Sequence, residues 1–403
     1  MKPSPRVATA LAPALAAALL AACTPGDPPA ASAPPAVTGT LPETRMTAAP
    51  RADFCPVALP GSWQDAIRDS RLAQQPGERW MGLTPTPDGR SAFALVQRDG
   101  SPARLVRQEK GGGRREVATM PDLFTLPLWA VFDGRWLVYA RSDLARSAPH
   151  GRGGAEVFSW DATSGAAPRQ VAGTGDFVFR PPLRDGRLAL TEVLGKDRSA
   201  LTLHDLAAGT ARTVATGPVA GVGFHGADLL WFDRATGRLR AVGPDGQATS
   251  APQPSAGPGA AAQVTTDGRT TAWVSRDELV LTVWRPDWAA PVRVSRFTPE
   301  SPSPAAETVL PNGVRRPTTD VDPFQRVASP TVVGDLVIFD YDQGWYVADL
   351  RTGSYARLTA DRADAVVSGG ALLVDPDDDS VPPQRQAYSL LRVDRLPPLP
   401  ECR

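Results

Sequence analysis

Trp345-Tyr346-Val347-Ala348-Asp349-Leu350-Arg351-Thr352-Gly353-Ser354-Tyr355-Ala356-Arg357-Leu358-Thr359 reads as a strand, a turn and a second strand. Two alternating apolar runs flank Asp349 and Gly353. An Asp-x-x-x-Gly spacing suits a short hairpin loop, because the carboxylate accepts a backbone N–H two residues on and glycine takes the positive φ that closes the turn. The same spacing returns as Asp161…Gly165, Asp205…Gly209 and Asp233…Gly237, so the stretch is one unit of a repeat.

A second turn signal runs in step with the first. Asp-Gly-Arg precedes an apolar strand at Asp88-Gly89-Arg90, Asp133-Gly134-Arg135, Asp185-Gly186-Arg187 and Asp267-Gly268-Arg269. Asp-Gly between β-rich runs is a strong hairpin signal. The aspartates are spaced by 45, 52 and 82 residues. The last interval is two periods, and His225-Gly226 before Asp228 fills it. More degenerate copies follow at Gly334-Asp335 and Gly369-Gly370, making seven starts. A period of about 40 to 50 residues built from short strands describes propeller blades. The expected fold is therefore all-β: a β-propeller of seven four-stranded blades over residues 53–403, with six or eight blades compatible with the same period. In each blade the inner strand should precede the Asp-Gly turn, and the outer pair should meet at Asp-x-x-x-Gly.

Thr86-Pro87-Asp88-Gly89-Arg90 followed by Ser91-Ala92-Phe93 resembles the TolB-type, or WD40-like (PD40), propeller repeat, in which Pro-Asp-Gly-basic leads into an apolar strand. The resemblance runs from Trp80 to Leu396 and is clearest in the first copy. It implies a TolB-like protein-binding propeller outside the cytoplasm. TolB's separate α/β domain has no counterpart in residues 53–79.

The N-terminus supplies an address. Lys2 and Arg6 precede Val7–Ala22, mostly Ala and Leu, which ends Leu20-Ala21-Ala22-Cys23. This resembles a bacterial lipoprotein signal, which implies removal of residues 1–22 and lipidation of Cys23, with palmitate among the expected acyl groups. A transmembrane anchor needs about 20 apolar residues, and Pro13 interrupts this shorter run. An ordinary secretory signal would leave Cys23 unexplained. Residues 23–52, rich in Pro, Ala, Ser and Thr, bury too little to order themselves and read as a tether. The expected location is the bacterial envelope, lipid-anchored and facing the extracytoplasmic side.

Composition fits that address. Lys+Arg and Asp+Glu are both 43, and loss of Lys2 and Arg6 leaves a net charge of −2, so no global field attracts nucleic acid. After lipidation of Cys23, the thiols of Cys55 and Cys402 remain, one at each end of the folded region. In an oxidising compartment they are expected to pair, the alternative being two isolated thiols. By loop entropy such a bridge contributes at most about 4 to 5 kcal/mol. Residues near Phe54–Leu59 are expected to supply the missing fourth strand of the last blade, since an open ring would leave edges unpaired. Ser62-Trp63-Gln64-Asp65 has capping-box form, and Trp63, Ala66, Ile67 and Ala73 share one face of a short N-terminal helix.

Chemistry is harder to find. No Gly-x-Ser-x-Gly, His-Glu-x-x-His, Cys-x-x-Cys or phosphate-binding glycine loop occurs, so no catalytic residue and no cofactor is assigned. His204 and His225 sit at repeated turns. Asp375, Asp377 and Asp379 match the first, third and fifth positions of a calcium loop, but Ser380 and Gln386 replace the glycine and glutamate that such a loop needs, which favours a solvated loop over a metal site. Trp136, Trp160, Trp231, Trp273 and Trp345 fall in strands, where packing between blades accounts for them.

Topology gives a stronger lead. Asp-Gly and Asp-x-x-x-Gly turns should share one face of the ring, and the long segments Ser142–Gly154, Arg296–Arg326 and Pro376–Gln386 should all lie on the other. That face would carry Arg146, His150, Arg152, Arg315, Arg316, Asp320, Asp322 and Phe324, with Val314–Phe324 expected to be ordered. Two functions follow. The first is a monomeric, non-enzymatic scaffold that binds an envelope protein or polymer. The second is a propeller enzyme or ligand sensor that uses the central channel, with a metal as one option.

Overall fold

The computed structural model describes residues 54–143, 154–178, 180–195, 197–251, 253–254, 261, 263–275, 280–296, 307–309, 315–317, 327–341, 344–359, 364–375 and 387–402. They form a seven-bladed β-propeller. The sheets span residues 79–119, 125–175, 183–217, 219–249, 263–296, 328–357 and 365–392, each an antiparallel meander. All seven turn signals open the second strand of a blade, and Gly89, Gly134, Gly186, Gly226, Gly268, Gly334 and Gly369 all take positive φ.

The strands form because each alternates toward two neighbouring blades. Phe93 and Leu95 of the first blade pack with Phe132, Leu137 and Trp160 of the second, and the Phe93 and Phe132 ring centroids are 4.9 Å apart. Trp136 and Trp160 are buried in such seams, and Trp231 is partly buried in another. Burying aromatic rings on this scale is the main favourable term for a fold made of sheet pairs.

The ring closes differently from the sequence expectation. Cys55–Pro56 does not enter the seventh blade. It pairs in parallel with Ser354–Arg357 as a fifth strand of the sixth blade, with Cys55 opposite Ser354. The seventh blade has three strands, Ala365–Ser368, Ala371–Val374 and Ser389–Arg392. Its open edge is taken by residues 70–72: Leu72 N–H donates to Tyr388 O at 2.8 Å, and Leu390 N–H donates to Ser70 O at 2.9 Å. The N-terminal segment thus stitches two blades, pairing with the edge of the sixth before its helix and with the edge of the seventh after it.

That helix is Gly61–Asp69. Its N-cap is Pro60, so Ser62 lies inside the first turn and caps nothing. Trp63 is fully buried and donates from Nε1 to Pro397 O at 2.9 Å, while Ala73 lies beyond the helix, exposed, and Leu72 takes the buried place instead. Cys55 and Cys402 form a disulfide across 347 residues, with Cα atoms 5.8 Å apart. The bridge sits beside the outer edge of the sixth blade, where Cys55 N–H donates to Gly353 O. No helix among the described residues is long and apolar enough to cross a membrane.

One repeat signal changes place. Asp161, Asp205 and Asp349 each open the turn between third and fourth strands, but Asp233…Gly237 joins the second and third strands of the fourth blade, Asp228–Asp233 and Arg238–Val242. The local chemistry is the same, with Asp233 Oδ1 accepting from Ala235 N–H. The fourth blade is short, so the same turn serves one strand earlier and faces the opposite way.

Candidate functional site

The two faces of the ring are built differently. On the turn face, short turns knit neighbouring blades. Asp133 Oδ2 accepts Gly186 N–H at 2.7 Å from the next blade. Arg285, nearly buried, donates to Thr270 Oγ1, Gly334 O and Asp335 Oδ1, tying the fifth blade to the sixth. Gly268 packs so closely on His225 that a Cβ would sit 2.5 Å from its Cα.

The opposite face, here called the loop face, carries the connections between second and third strands and between blades. The segments 144–153, 297–326 and 376–386 all depart from it. Arg146, His150, Arg152, Asp320, Asp322 and Phe324 lie outside the described residues, as do Cys23, Asp377 and Asp379. Arg315 and Arg316 fall on the strand Arg315–Pro317, which pairs with Glu307–Val309 in a hairpin between the fifth and sixth blades. Of the segment Val314–Phe324, these three residues are the described part. Asp375 directly follows the second strand of the seventh blade, and its N–H donates to Asp364 O at 2.8 Å. Among the described residues no group of three or more His, Cys, Asp or Glu converges as a metal site. His204 is buried, which lowers its pKa, and it lies on the third strand of its blade, away from the cavity.

A central cavity of about 660 Å³ is lined by six of the seven blades. Its wall is mostly apolar, with Val131, Val222, Val264, Val332 and Val367, and it carries Arg180, Arg234, Thr331 and Ser368. Near the turn face Ser368 Oγ donates to Phe132 O at 3.0 Å, reaching from the seventh blade past the first to the second and narrowing that end. Inner strands bulge in the first blade and, around the cavity, in the second, fourth and sixth. In the third, the inner strand is interrupted. Val178 N–H pairs with Thr191 O, Arg180 stands at φ +51°, and pairing resumes with Leu183–Arg184. A left-handed conformation costs a residue with a Cβ about 1 to 2 kcal/mol, so the surroundings hold Arg180 there.

Arg180 crosses the channel. Its Nη2 lies 3.7 Å from Asp364 Oδ2, at the loop-face end of the seventh blade's inner strand. A third of the side chain is open to solvent, yet its Nε is buried and has no hydrogen-bond partner among the described residues. Confinement by protein lowers the guanidinium pKa, with Asp364 opposing. Beside it, Asp340 is pushed up to about 6, by burial first and then by Asp364. Tyr388 is raised by burial, and Asp375 adds to it. A larger hollow, about 770 Å³, lies on the turn face at the seam of the first and seventh blades. Three of its five cations are already engaged, Arg392 with Asp394, Arg107 with Ser91, and Lys110 with Ser70 and Leu390 O. It reads as the closure seam, and the central cavity is the better site.

The sequence reading named neither Arg180 nor Asp364. Its available signal was Pro181-Pro182 inside a stretch expected to be an inner strand, since consecutive prolines remove two ladder donors and mark a break. It also missed Glu78, whose buried carboxylate pairs with Arg98, Arg104 and Arg114 at 3.4, 3.2 and 2.7 Å.

No family model matches the chain, and no curated protein matches it. Solved structures do. The chain is similar to an oligogalacturonate lyase in complex with manganese (16% identity, TM-score 0.43, covering 71% of this chain and 77% of that one). It is similar to a chain of the mitotic checkpoint complex (13%, 0.44, covering 80% and 93%). A third is prolyl oligopeptidase B from Galerina marginata (12%, 0.43, covering 82% and 53%), of which this chain spans about half. Two of the three are enzymes. At these identities the likeness extends to the fold alone, which hosts many activities.

Proposed function

We propose that this protein is a lipid-anchored binding propeller of the bacterial envelope, held through Cys23 on the extracytoplasmic side, which engages an envelope protein or polymer through its loop face without catalysing a reaction. One observation carries the reading. The large apolar side chains exposed among the described residues are Met81, Leu123, Phe124, Val178 and Leu194, and all five belong to the loop-face half of the first three blades. Met81 lies early on an inner strand, Leu123 and Phe124 join two blades, and Leu194 ends a second strand. Singly such residues need no explanation, but their gathering toward one face of three adjacent blades, with Val178 at the cavity, supports an interaction surface there. Among the described residues the turn face carries no such group, and several of its polar side chains bond to the neighbouring blade.

Cross-linking in the native envelope, read by mass spectrometry, tests this. A reproducible partner attached through the loop face supports it, and attachment through the turn face alone overturns it. Cys23→Ala is expected to release the protein from the membrane fraction. Unchanged retention would refute the lipid anchor.

A further inference from the structure

We propose that the loop-face end of the central cavity is a binding site for a small ligand with a carboxylate head and an apolar body, and that Arg180 takes the carboxylate where Asp364 now stands. This goes beyond partner binding on the loop face and does not depend on it.

Three features of the site point to an anion. The guanidinium is a planar fork with five donors, built to hold a carboxylate by two parallel bonds. Here it makes none among the described residues: Nε is buried without a partner, and the 3.7 Å to Asp364 exceeds hydrogen-bond length. A donor buried and unpaired is a cost that a bound acceptor would remove. The backbone of Arg180 is also held in a left-handed conformation ahead of Pro181-Pro182, which aims the side chain across the channel at the price of local strain. Such outliers collect where a fold positions a group for a ligand.

Asp364 is suited to being displaced. It belongs to the seventh blade, its side chain is about half exposed, and it neighbours Asp340, whose charge it opposes. An incoming carboxylate would replace one long ion pair by two short, charge-assisted hydrogen bonds. Asp364, about half exposed, would turn to water, and the preference for an acid is what remains after repulsion from Asp364 and Asp340.

The apolar body follows from the rest of the wall. Below Arg180 the cavity is bounded by Val131, Val222, Val264, Val332 and Val367, and it narrows at Ser368 and Phe132. Its volume of about 660 Å³ falls in the range of small-molecule sites. A fully hydrated ion would gain nothing from those valines, whereas an aromatic or aliphatic acid buries its body there.

The test uses the full-length purified protein and two matched probes, 2-naphthoate and its uncharged amide, titrated by calorimetry. The acid is expected to bind roughly ten- to a hundredfold tighter than the amide, the factor that a charge-assisted pair supplies. Arg180→Gln should abolish that preference while leaving the amide's affinity unchanged, and Arg180→Lys should restore part of it. Thr331→Phe, which fills the cavity and leaves Arg180 in place, should weaken both probes equally. Thermal unfolding checks that each variant is folded. Equal affinity for acid and amide in the wild-type protein, or no saturable binding of either at millimolar concentration, overturns the proposal. So does an acid preference that survives Arg180→Gln, or a Thr331→Phe variant that binds both probes unchanged.

Discussion

The turn face and the loop face are made from the same seven repeats, yet one is closed and the other open. On the turn face a carboxylate or guanidinium from one blade meets the backbone of the next, as at Asp133 and Gly186 or at Arg285 and Gly334. Such polar groups hold neighbouring blades together. On the loop face apolar side chains reach solvent, and Arg180 keeps a buried donor unpaired among the described residues. On the proposed function the division puts stability and recognition at opposite ends of each blade, so changes at one end should register in unfolding and changes at the other in binding.

The sharpest way to break that division is to weaken the closure. Replacing Cys55 and Cys402 by serine should cost about 2 to 5 kcal/mol, since the bridge closes a loop of nearly the whole domain. Chemical denaturation checks it, and a loss under 1 kcal/mol would mean that the Ser70–Leu72 and Cys55–Pro56 pairings suffice without the bond.

Next comes Arg285→Ala on the turn face. It removes three hydrogen bonds from a nearly buried cation and leaves Asp335 without that partner, an expected loss of about 2 to 3 kcal/mol. Partner binding should be unaffected, and a binding defect in a folded variant would blur the contrast between the faces.

Asp340 supplies a smaller effect of opposite sign. Its folded pKa, about 6, lies above the ordinary carboxylate value, so the native state holds the proton more tightly than the unfolded chain. The carboxyl therefore costs stability above pH about 6; this cost shrinks as pH falls toward the ordinary value near 4, and below both it is absent. Asp340→Asn should stabilise the protein near neutral pH by on the order of 1 kcal/mol, after allowance for partial exposure. The gain should vanish in acid. Thermal melts across that window would show it, and a gain independent of pH would assign the effect to something other than this charge.

The smallest change in stability is expected at Phe124→Ser, within about 0.5 kcal/mol of wild type because the ring is exposed. The same substitution should lower cross-linking yield to an envelope partner. Loss of stability without loss of cross-linking would reverse the roles given to the two faces.

Much of this architecture was legible because turns obey local rules. Asp88-Gly89 and its six counterparts declare positive φ and a hairpin whatever surrounds them, and counting them yielded seven blades. The pairing of Cys55 with Cys402 was expected from position at the two ends together with the export that the N-terminus implies, and the bond is present. The cavity was not legible in the same way. Arg180 and Asp364 are far apart in sequence and meet only because the third and seventh blades face each other across the channel.

Local chemistry thus determined the repeat, the strand order within a blade and the turn residues, since each depends on neighbours along the chain. Tertiary structure decided which segment closes the ring, where Asp233…Gly237 falls, and what Arg180 confronts. Those outcomes depend on edges left unpaired and on blades brought face to face, and neither exists until the ring has formed.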